Sequence, residues 1–303
     1  MHKYRIITFD GGGVRTALTI TLLKRLHAQF PELIDKAQLL AGTSTGSLLA
    51  LALAYGKSPE ELMELFSEKN WEFIFTPKFM DAFKPKYSNE HLTELLLSVF
   101  PADLRLRDLP KLVLVPSYLL RGSDLGPWSP VFYHNFPNSP YSDELVINVA
   151  LSGSASPIYF PSYQNHIDGG IITNTPSTAA IAFAHDKQGA NQELDNIFLL
   201  SLGSGYCPTN IIDDTTKWGA IDWVLNPLIP FPLINLLYDG GVEADVYFSS
   251  RLLNNQYYRL NPPLSESIPL DAYAKIPDLI SLAQDLDLTS ASTWIKYNWF
   301  YRI

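Results

Sequence analysis

The chain has 303 residues, 47% of them hydrophobic, which is enough to bury a substantial core in one large domain or two ordinary ones. Its net charge of −9 argues against nucleic acid as a partner and against simple electrostatic adhesion to anionic membranes. The single cysteine, Cys207, excludes an intramolecular disulfide, and one cysteine with six dispersed histidines gives no familiar metal-ligand spacing. We therefore predict no metal and no cofactor.

The N-terminal residues carry no signal-peptide pattern, because 1–5 lead directly into an apolar strand. No window reaches the ~18 consecutive apolar residues of a membrane span. These features predict an intracellular protein, cytoplasmic or peripheral at membranes, and leave export without a cleaved signal open.

Apolar runs rich in β-branched residues alternate with segments of helical spacing along the first two thirds of the chain. This alternation predicts an α/β fold of three layers, α/β/α, around a mostly parallel sheet. Strands are predicted over Tyr4–Phe9 and over 37–41, 111–115, 131–134, 163–167 and 196–202. Helices are predicted over 14–30, 47–55, 58–70, 88–100, 143–153, 175–186, 276–286 and 290–301.

After residue 202 the pattern becomes mostly helical, with no internal repeat, low-complexity tract or convincing linker. We therefore expect a single domain over 1–303. Its motifs lie within 4–206, and 207–303 form a mostly helical C-terminal part.

The pentapeptide Gly42-Thr-Ser-Thr-Gly46 stands between a short apolar strand and an apolar helix. A G-x-S-x-G sequence in that context is the nucleophile-elbow pattern. The turn exposes the hydroxyl of Ser44 at a helix N-terminus, where the helix dipole favours a developing oxyanion. The alternative is a Gly/Ser/Thr turn that only caps a buried helix.

A glycine run, Asp10-Gly-Gly-Gly13, lies between the first strand and the first helix. It fails as a dinucleotide fingerprint, which needs glycine where Thr16 stands, and it fails as a P-loop because no G-K-[ST] follows. It fits an oxyanion hole if Ser44 is near, since loops after adjacent parallel strands lie side by side at the carboxyl edge of a sheet. Without a nucleophile it is a simple turn.

Asp168 opens a second motif, Asp-Gly-Gly, at the end of a predicted strand. Most such sequences are turns in which the aspartate bonds its own backbone. Its place at the carboxyl end of a strand makes it a candidate partner for Ser44.

Four motifs in this order resemble the patatin-like phospholipase family: Asp-Gly-Gly-Gly-Val-Arg, Gly-Thr-Ser-Thr-Gly, Ser-Ala-Ser-Pro at 154–157 and Asp-Gly-Gly at 168–170. The resemblance covers roughly 4–206. It implies a serine lipid acyl hydrolase of phospholipase A or lysophospholipase type, with a lipid substrate and transient contact with a membrane or micelle. Ser44 would be the nucleophile and Asp168 the general base of a dyad. The amides of Gly11, Gly12 and Gly13 would form the oxyanion hole, with Arg15 supporting it or a substrate phosphate, and Gly42, Thr45, Gly46, Gly169 and Gly170 would shape the turns.

Two departures from the family pattern concern the site mouth. Thr16 stands where the family usually has glycine, and we expect its side chain to reshape the mouth. Pro157-Ile158 replaces smaller residues or a second proline, which bears on the shape of the substrate.

Two other functions stay open at this stage. One is an α/β-hydrolase esterase or thioesterase with a Ser-His-Asp triad, for which His166 and His185 are nearest in sequence to Asp168. The other is a catalytically silent module that binds lipid or docks a partner.

Two further segments are apolar and interrupted by prolines: 71–87, rich in aromatic residues, and 227–237. Each is interpreted either as packing or as an acyl-binding or interfacial surface. Because prolines disfavour a continuous helix, we expect 227–237 to be irregular and to border the acyl side of the site.

Overall fold

The computed structural model of the chain describes residues 3–78, 84–121, 126–207, 211, 214–226 and 232–301. The strands in these ranges are β1 (Tyr4–Phe9), β2 (Leu39–Gly42), β3 (Leu112–Leu119), β4 (Ser129–His134), β5 (His166–Asp168), β6 (Ile197–Leu202) and β7 (Tyr257–Leu260). The helices are α1 (Thr16–Gln29), α2 (Thr45–Tyr55), α3 (Pro59–Leu65), α4 (Glu68–Ile74), α5 (Asn89–Val99), α6 (Val146–Gly153), α7 (Ser177–His185), α8 (Ala220–Leu225), α9 (Pro232–Leu253), α10 (Ile276–Asp285) and α11 (Thr289–Trp294).

The described strands form one sheet in the order β4-β3-β2-β1-β6-β7, with β5 added to the end of β3. Strands β3, β2, β1, β6 and β7 run parallel to one another, whereas β4 and β5 run antiparallel to β3. The prediction of an α/β fold with a mostly parallel sheet is confirmed.

Alternate residues of the central strands enter two separate cores. Ile7 and Phe9 of β1 pack with α1 and α2 on one face, while Ile6 packs with α7 on the other. A strand buried on both faces requires helices on both sides of the sheet, and this gives the three layers.

A capping box starts α3, as the sequence indicates. Ser58 Oγ accepts from Glu61 N at 3.2 Å, and Glu61 Oε2 accepts from Ser58 N at 2.8 Å. The prediction of one helix to residue 70 is wrong, because Ser67 caps a new helix, α4, by accepting from Asn70 N.

The C-terminal part contains a strand that the sequence analysis missed. β7 extends the sheet beyond β6, although the segment after residue 202 is otherwise largely helical in the described ranges. Arg25 Nη1 donates to the carbonyl oxygens of Ala283 and Leu286 at 2.5 and 2.8 Å, and Trp299 Nε1 donates to Leu33 O. These contacts support our proposal that the chain is a single domain.

The apolar segment 227–237 is described only in part, because 227–231 lie outside the described residues. Pro232 begins α9, so the second half is helical, contrary to the expected irregular conformation; proline is tolerated at a first helical position. Leu233, Leu236 and Leu237 of this half are exposed. Among the helices that the structure describes, none has the length and apolar character to cross a membrane.

Candidate active site

Ser44 occupies the tight turn that joins β2 to α2. Its φ of 54° and ψ of −128° are strained for a residue other than glycine. The turn needs glycines beside it: a Cβ on Gly42 would meet Gly46 O at 2.1 Å, and one on Gly46 would meet Phe9 O at 2.5 Å. The two glycines thus allow the tight turn that places the Ser44 hydroxyl at the carboxyl edge of the sheet.

Asp168 reaches the same edge from β5, where it pairs with Ser117 of β3. Its Oδ2 accepts a hydrogen bond from Ser44 Oγ at 2.5 Å, and its Oδ1 accepts one from Gly170 N at 2.7 Å. The carboxyl group is 1% exposed. Burial raises the pKa of Asp168 to about 6, although the hydrogen bonds from Ser44 and Gly170 oppose the shift. A carboxylate of this pKa, in contact with a serine hydroxyl, can accept its proton near neutral pH.

The glycine loop lies beside this pair, since a Cβ on Gly11 would come within 3.1 Å of Ser44 Cβ. The three amides are not equivalent. Gly11 N donates to Asn174 O at 3.0 Å, so this amide is already occupied. In the described part of the chain, no acceptor is bonded to the amides of Gly12 and Gly13. Thr45 N, at the first position of α2, belongs to the helix-terminal amides that lack an intrahelical partner.

Arg15 and the two glycines after Asp168 also lie around the pair. Arg15 is half-buried, and its Nε donates to Gly12 O at 3.3 Å. A Cβ on Gly169 would meet Pro116 O at 2.3 Å, and one on Gly170 would meet Tyr238 Cε1 of α9 at 2.5 Å. The elements that carry these glycines could not pack as closely with larger residues.

The expectation for Thr16 is wrong. Its side chain is fully buried, and its hydroxyl forms a 2.6 Å hydrogen bond with the hydroxyl of Thr45. It therefore ties the start of α1 to the start of α2 and does not line the mouth. The second departure, Ile158, is exposed and has a φ of 75°, which is unusual for a β-branched residue.

A buried ion pair anchors the residue before the glycine loop. Arg259 of β7 donates from Nη1 and Nη2 to the two carboxylate oxygens of Asp10 at 2.8 and 2.5 Å, and Nη1 also donates to Ser201 Oγ. Sequence analysis gave no signal for Arg259, because β7 was not predicted. It also missed Asn174, whose position in a polar loop six residues after Asp168 was the available signal.

The histidines proposed for a triad are engaged elsewhere. His166 Nε2 lies 3.1 Å from Tyr133 Oη, and its Nδ1 lies 2.8 Å from Gln164 O. His185 Nδ1 lies 2.8 Å from Gln192 O near the end of α7. Of the histidines that the structure describes, none is hydrogen-bonded to Ser44 or Asp168.

A small cavity opens beside Ser44 and Thr45 and is otherwise mostly apolar. It leaves about 30 Å³ free to the centre of a water-sized molecule and is partly open to solvent. Its apolar wall combines residues of α2, of α4 and the residue after it, of α5, of the segment after α6 and of the segment before α10, namely Leu48, Trp71, Ile74, Phe75, Leu92, Tyr159, Phe160 and Leu270. The first half of the aromatic segment 71–87 therefore packs in the core and lines this cavity; residues 79–83 lie outside the described residues.

The chain is similar to several known proteins. A family model described as "Patatin-like phospholipase" matches residues 7–181. "Protein teg" of Priestia megaterium is 38% identical over 99% of this chain and 100% of its own length. The "Putative sporulation hydrolase CotR" of Bacillus subtilis is 37% identical over 99% of both chains. A "cGAMP-activated phospholipase" of Escherichia coli is 28% identical over 67% of this chain and 62% of its own length.

Proposed function

Because the chain belongs to the patatin-like phospholipase family and has relatives that are phospholipases, it is a lipid ester hydrolase, and we propose that it works through an acyl-enzyme on Ser44 with Asp168 as the general base. The observation that carries this proposal is the 2.5 Å hydrogen bond from Ser44 Oγ to Asp168 Oδ2 in a buried site. No imidazole is needed when the carboxylate contacts the hydroxyl directly.

In the first half-reaction, Ser44 Oγ attacks the ester carbonyl carbon while its proton passes to Asp168 Oδ2. Gly170 N donates a hydrogen bond to Oδ1 of Asp168 and so fixes the carboxyl group with Oδ2 facing the Ser44 hydroxyl. The tetrahedral intermediate then collapses, the bond to the alcohol oxygen breaks, and Asp168 returns the proton to that oxygen. Water completes the cycle by the same steps in reverse, with Asp168 taking its proton and Ser44 leaving.

The oxyanion that forms in each half-reaction needs hydrogen-bond donors in fixed positions. We assign this role to the amides of Gly12 and Gly13, with Thr45 N as a third donor, and not to Gly11 N, which is bonded to Asn174 O. Arg15 supports the loop through its hydrogen bond to Gly12 O, or binds a substrate phosphate. The acyl group lies in the apolar cavity beside Ser44.

The first turns of α9 are the surface that we propose for contact with aggregated lipid. Leu233, Leu236 and Leu237 are 44–51% exposed, and Tyr238, which follows them, packs beside Gly170 at the site. Since the net charge is −9, this contact should be hydrophobic and only weakly dependent on salt. Changing Leu233 and Leu237 to Asp should leave the melting temperature unchanged and reduce co-sedimentation with phosphatidylcholine vesicles. Leu252→Asp, on the same helix about 22 Å away, is the matched control.

The proposed chemistry is tested by hydrolysis of a phospholipid and lysophospholipid panel whose acyl length runs from butyryl to palmitoyl. We expect wild-type protein to release free acid from at least one member and Ser44→Ala from none. Equal release by the two proteins would contradict a serine nucleophile. Labelling of Ser44 by a fluorophosphonate separates an enzyme from a silent lipid-binding module.

A further inference from the structure

We propose that Tyr238 of α9 is a positioning residue for the Ser44–Asp168 pair, because its ring covers the base and keeps water away from it. The inference rests on the proposed function, since it concerns the proton acceptor of the same site. Sequence analysis gave no role to Tyr238, which lies outside the motifs around Ser44 and Asp168. The proposal makes α9, which also carries the exposed Leu236 and Leu237, one wall of the active site.

Four parts of the described chain enclose Asp168. On β5 it pairs with Ser117 of β3, its amide donates to Ala155 O at 3.0 Å, and Ser44 Oγ donates to its Oδ2. These contacts account for β3, the segment after α6 and the turn before α2. The ring of Tyr238 is the contribution of α9, and Asp168 is 1% exposed in this enclosure.

Gly170 makes room for the ring. A Cβ on Gly170 would lie 2.5 Å from Tyr238 Cε1 and 3.1 Å from Asp168 Oδ1, so the aromatic edge and the carboxylate approach the same empty position. Gly170 N is also the donor that fixes Asp168 Oδ1. The ring therefore packs on the residue that orients the base.

The electrostatic surroundings of Tyr238 place its hydroxyl at the same site. Burial, and then the nearby Asp168 carboxylate, raise the pKa of Tyr238, whereas an interaction with the Ser156 hydroxyl lowers it. Ser156 lines the cavity beside Ser44. The phenol stays protonated near neutral pH, so it adds no charge next to Asp168 and does not itself act as the base.

An anchor two turns farther along α9 holds the ring in place. Asp245 Oδ2 accepts from Thr178 N at 3.0 Å, and the main-chain oxygen of Asp245 accepts from Thr178 Oγ1 at 3.2 Å. Ser249 Oγ forms a 2.9 Å hydrogen bond with the same threonine hydroxyl. Residues seven apart lie on one face of a helix, so the bonds that fix Asp245 to α7 also direct Tyr238 toward the sheet.

The groups that face Asp168 carry no compensating charge. β3 and the turn before α2 contribute the hydroxyls of Ser117 and Ser44. Tyr238 faces Asp168 from α9, and Tyr159 of the segment after α6, whose pKa burial also raises, acts on Tyr238 in turn. In the described chain, no Lys, Arg or His forms an ion pair with Asp168.

Exclusion of water therefore governs the ionisation of this carboxyl group. Burial raises the pKa of Asp168 to about 6, and His166 on the same strand has both ring nitrogens engaged elsewhere. Without the ring of Tyr238, water would reach the carboxylate and its pKa would return toward 3.8. A base of lower pKa accepts the serine proton less readily, so the attack by Ser44 should also become slower.

The experiment measures the rate of fluorophosphonate labelling of Ser44 against pH, followed by intact mass. Wild-type protein should show an inflection near pH 6. Tyr238→Ala should move this inflection down by about one pH unit or more and lower the plateau rate about 10-fold. Tyr238→Phe should keep the inflection near pH 6, because a phenyl ring still covers the carboxylate.

The matched control is Tyr247→Ala on the same helix. Tyr247 is 57% exposed, packs edge-on against Phe248 and lies nine residues, or about 14 Å, beyond Tyr238. This control should keep the wild-type inflection and plateau. Asp245, whose pKa burial raises to about 7, titrates in every variant, so the shift between variants is the informative quantity. Tyr238→Leu, which keeps part of the apolar cover, should give a smaller shift in the same direction and replaces Tyr238→Ala if the latter does not fold.

Three results would overturn the proposal. Folded Tyr238→Ala, or Tyr238→Leu in its place, with the wild-type inflection would show that the ring does not protect Asp168, and would leave the dyad intact. A shift in Tyr238→Phe as large as in Tyr238→Ala would refute a role of the ring. A wild-type protein that does not label, or whose inflection near pH 6 survives in Asp168→Asn, would overturn the proposed function together with this inference.

Discussion

Two buried aspartates stand at the carboxyl edge of the sheet, and their surroundings differ in one respect. Asp10 is 3% exposed and has both carboxylate oxygens bonded to the guanidinium of Arg259. Asp168 is 1% exposed and receives only neutral donors, Ser44 Oγ and Gly170 N. No Lys, Arg or His of the described chain forms an ion pair with Asp168.

We propose that this difference separates a structural carboxylate, Asp10, from a reactive one, Asp168. The negative charge of Asp10 is compensated, so its energetic role is to hold the strand end and the glycine loop together. No cation of the described residues pairs with the charge of Asp168, and burial raises the pKa of this group to about 6. A carboxylate that is costly to ionise is a better proton acceptor, which is what a general base for Ser44 requires.

The largest effect should come from Asp168→Asn. The amide can keep both hydrogen bonds, since Oδ1 can accept from Gly170 N and Nδ2 can donate to Ser44 Oγ, but it cannot accept the serine proton. We expect kcat for p-nitrophenyl butyrate to fall about 10³-fold or more, and Ser44→Ala/Asp168→Asn to be no worse than the single changes, because residues that act as a unit are not additive. Near-wild-type turnover of folded Asp168→Asn would exclude the dyad.

The next effect is on stability and concerns the other aspartate. Arg259→Met leaves the Asp10 carboxylate buried without a cation, which should cost about 3–5 kcal/mol in the free energy of unfolding. Urea denaturation measures it. The control is Asp10→Asn/Arg259→Met, which should recover much of the loss because no charge is left buried. A single variant as stable as wild type would show that the ion pair is not the structural element described here.

A smaller effect concerns pH and stability. Since the folded-state pKa of Asp168 is raised from 3.8 to about 6, the folded protein retains this proton at pH values where the unfolded chain has lost it. The free energy of unfolding should therefore fall as pH rises from about 4 to 6, by up to roughly 3 kcal/mol for this group, and stay flat above.

Thermal unfolding of Asp168→Asn isolates this contribution. Asp245, whose pKa burial raises to about 7, adds a slope of the same sign in both proteins, so the informative quantity is the difference between them. We expect Asp168→Asn to gain stability over wild type as pH rises through this window. An equal pH dependence in the two proteins would mean that the folded protein compensates the charge of Asp168.

The smallest effect should follow removal of the neighbouring imidazoles. His166→Ala and His185→Ala should each change kcat/KM by less than about 10-fold, because their ring nitrogens contact Tyr133, Gln164 and Gln192 and not the catalytic pair. Loss of about 10³-fold in either variant would instead indicate a triad.

Of the two aspartate sites, the one at Asp168 could be predicted from local sequence motifs, whereas the ion pair at Asp10 could not. Ser44 and Asp168 stand in short glycine-containing motifs that are visible in the local sequence, so the residues could be named in advance, although most contacts that require these glycines come from distant residues such as Phe9 and Pro116. Arg259 is 249 residues from Asp10, in a four-residue strand with no turn signal, and only the tertiary fold brings them together. The cavity wall is likewise a product of packing between α2, α4, α5 and the segments after α6 and before α10.

The sequence also did not indicate why Asp168 lies at the carboxyl edge of the sheet. Sequence analysis placed it at the carboxyl end of a strand in a mostly parallel sheet and did not predict that this strand is antiparallel. In the structure β5 runs antiparallel to the end of β3, and the pairing of its three residues places Asp168 opposite Ser117. Strand direction depends on pairing partners, which a three-residue segment does not encode by itself.

The rate of fluorophosphonate labelling of Ser44, followed by intact mass against pH, tests the central claim most directly, because it measures nucleophile activation without product release. We expect the wild-type rate to rise with pH, with an apparent pKa of about 6, and then to level off as Asp168 becomes fully ionised. Asp168→Asn should label at least about 100-fold more slowly, with no inflection near pH 6. Equal labelling rates for the two proteins, or an inflection near pH 6 that survives in Asp168→Asn, would contradict the assignment of Asp168 as the base.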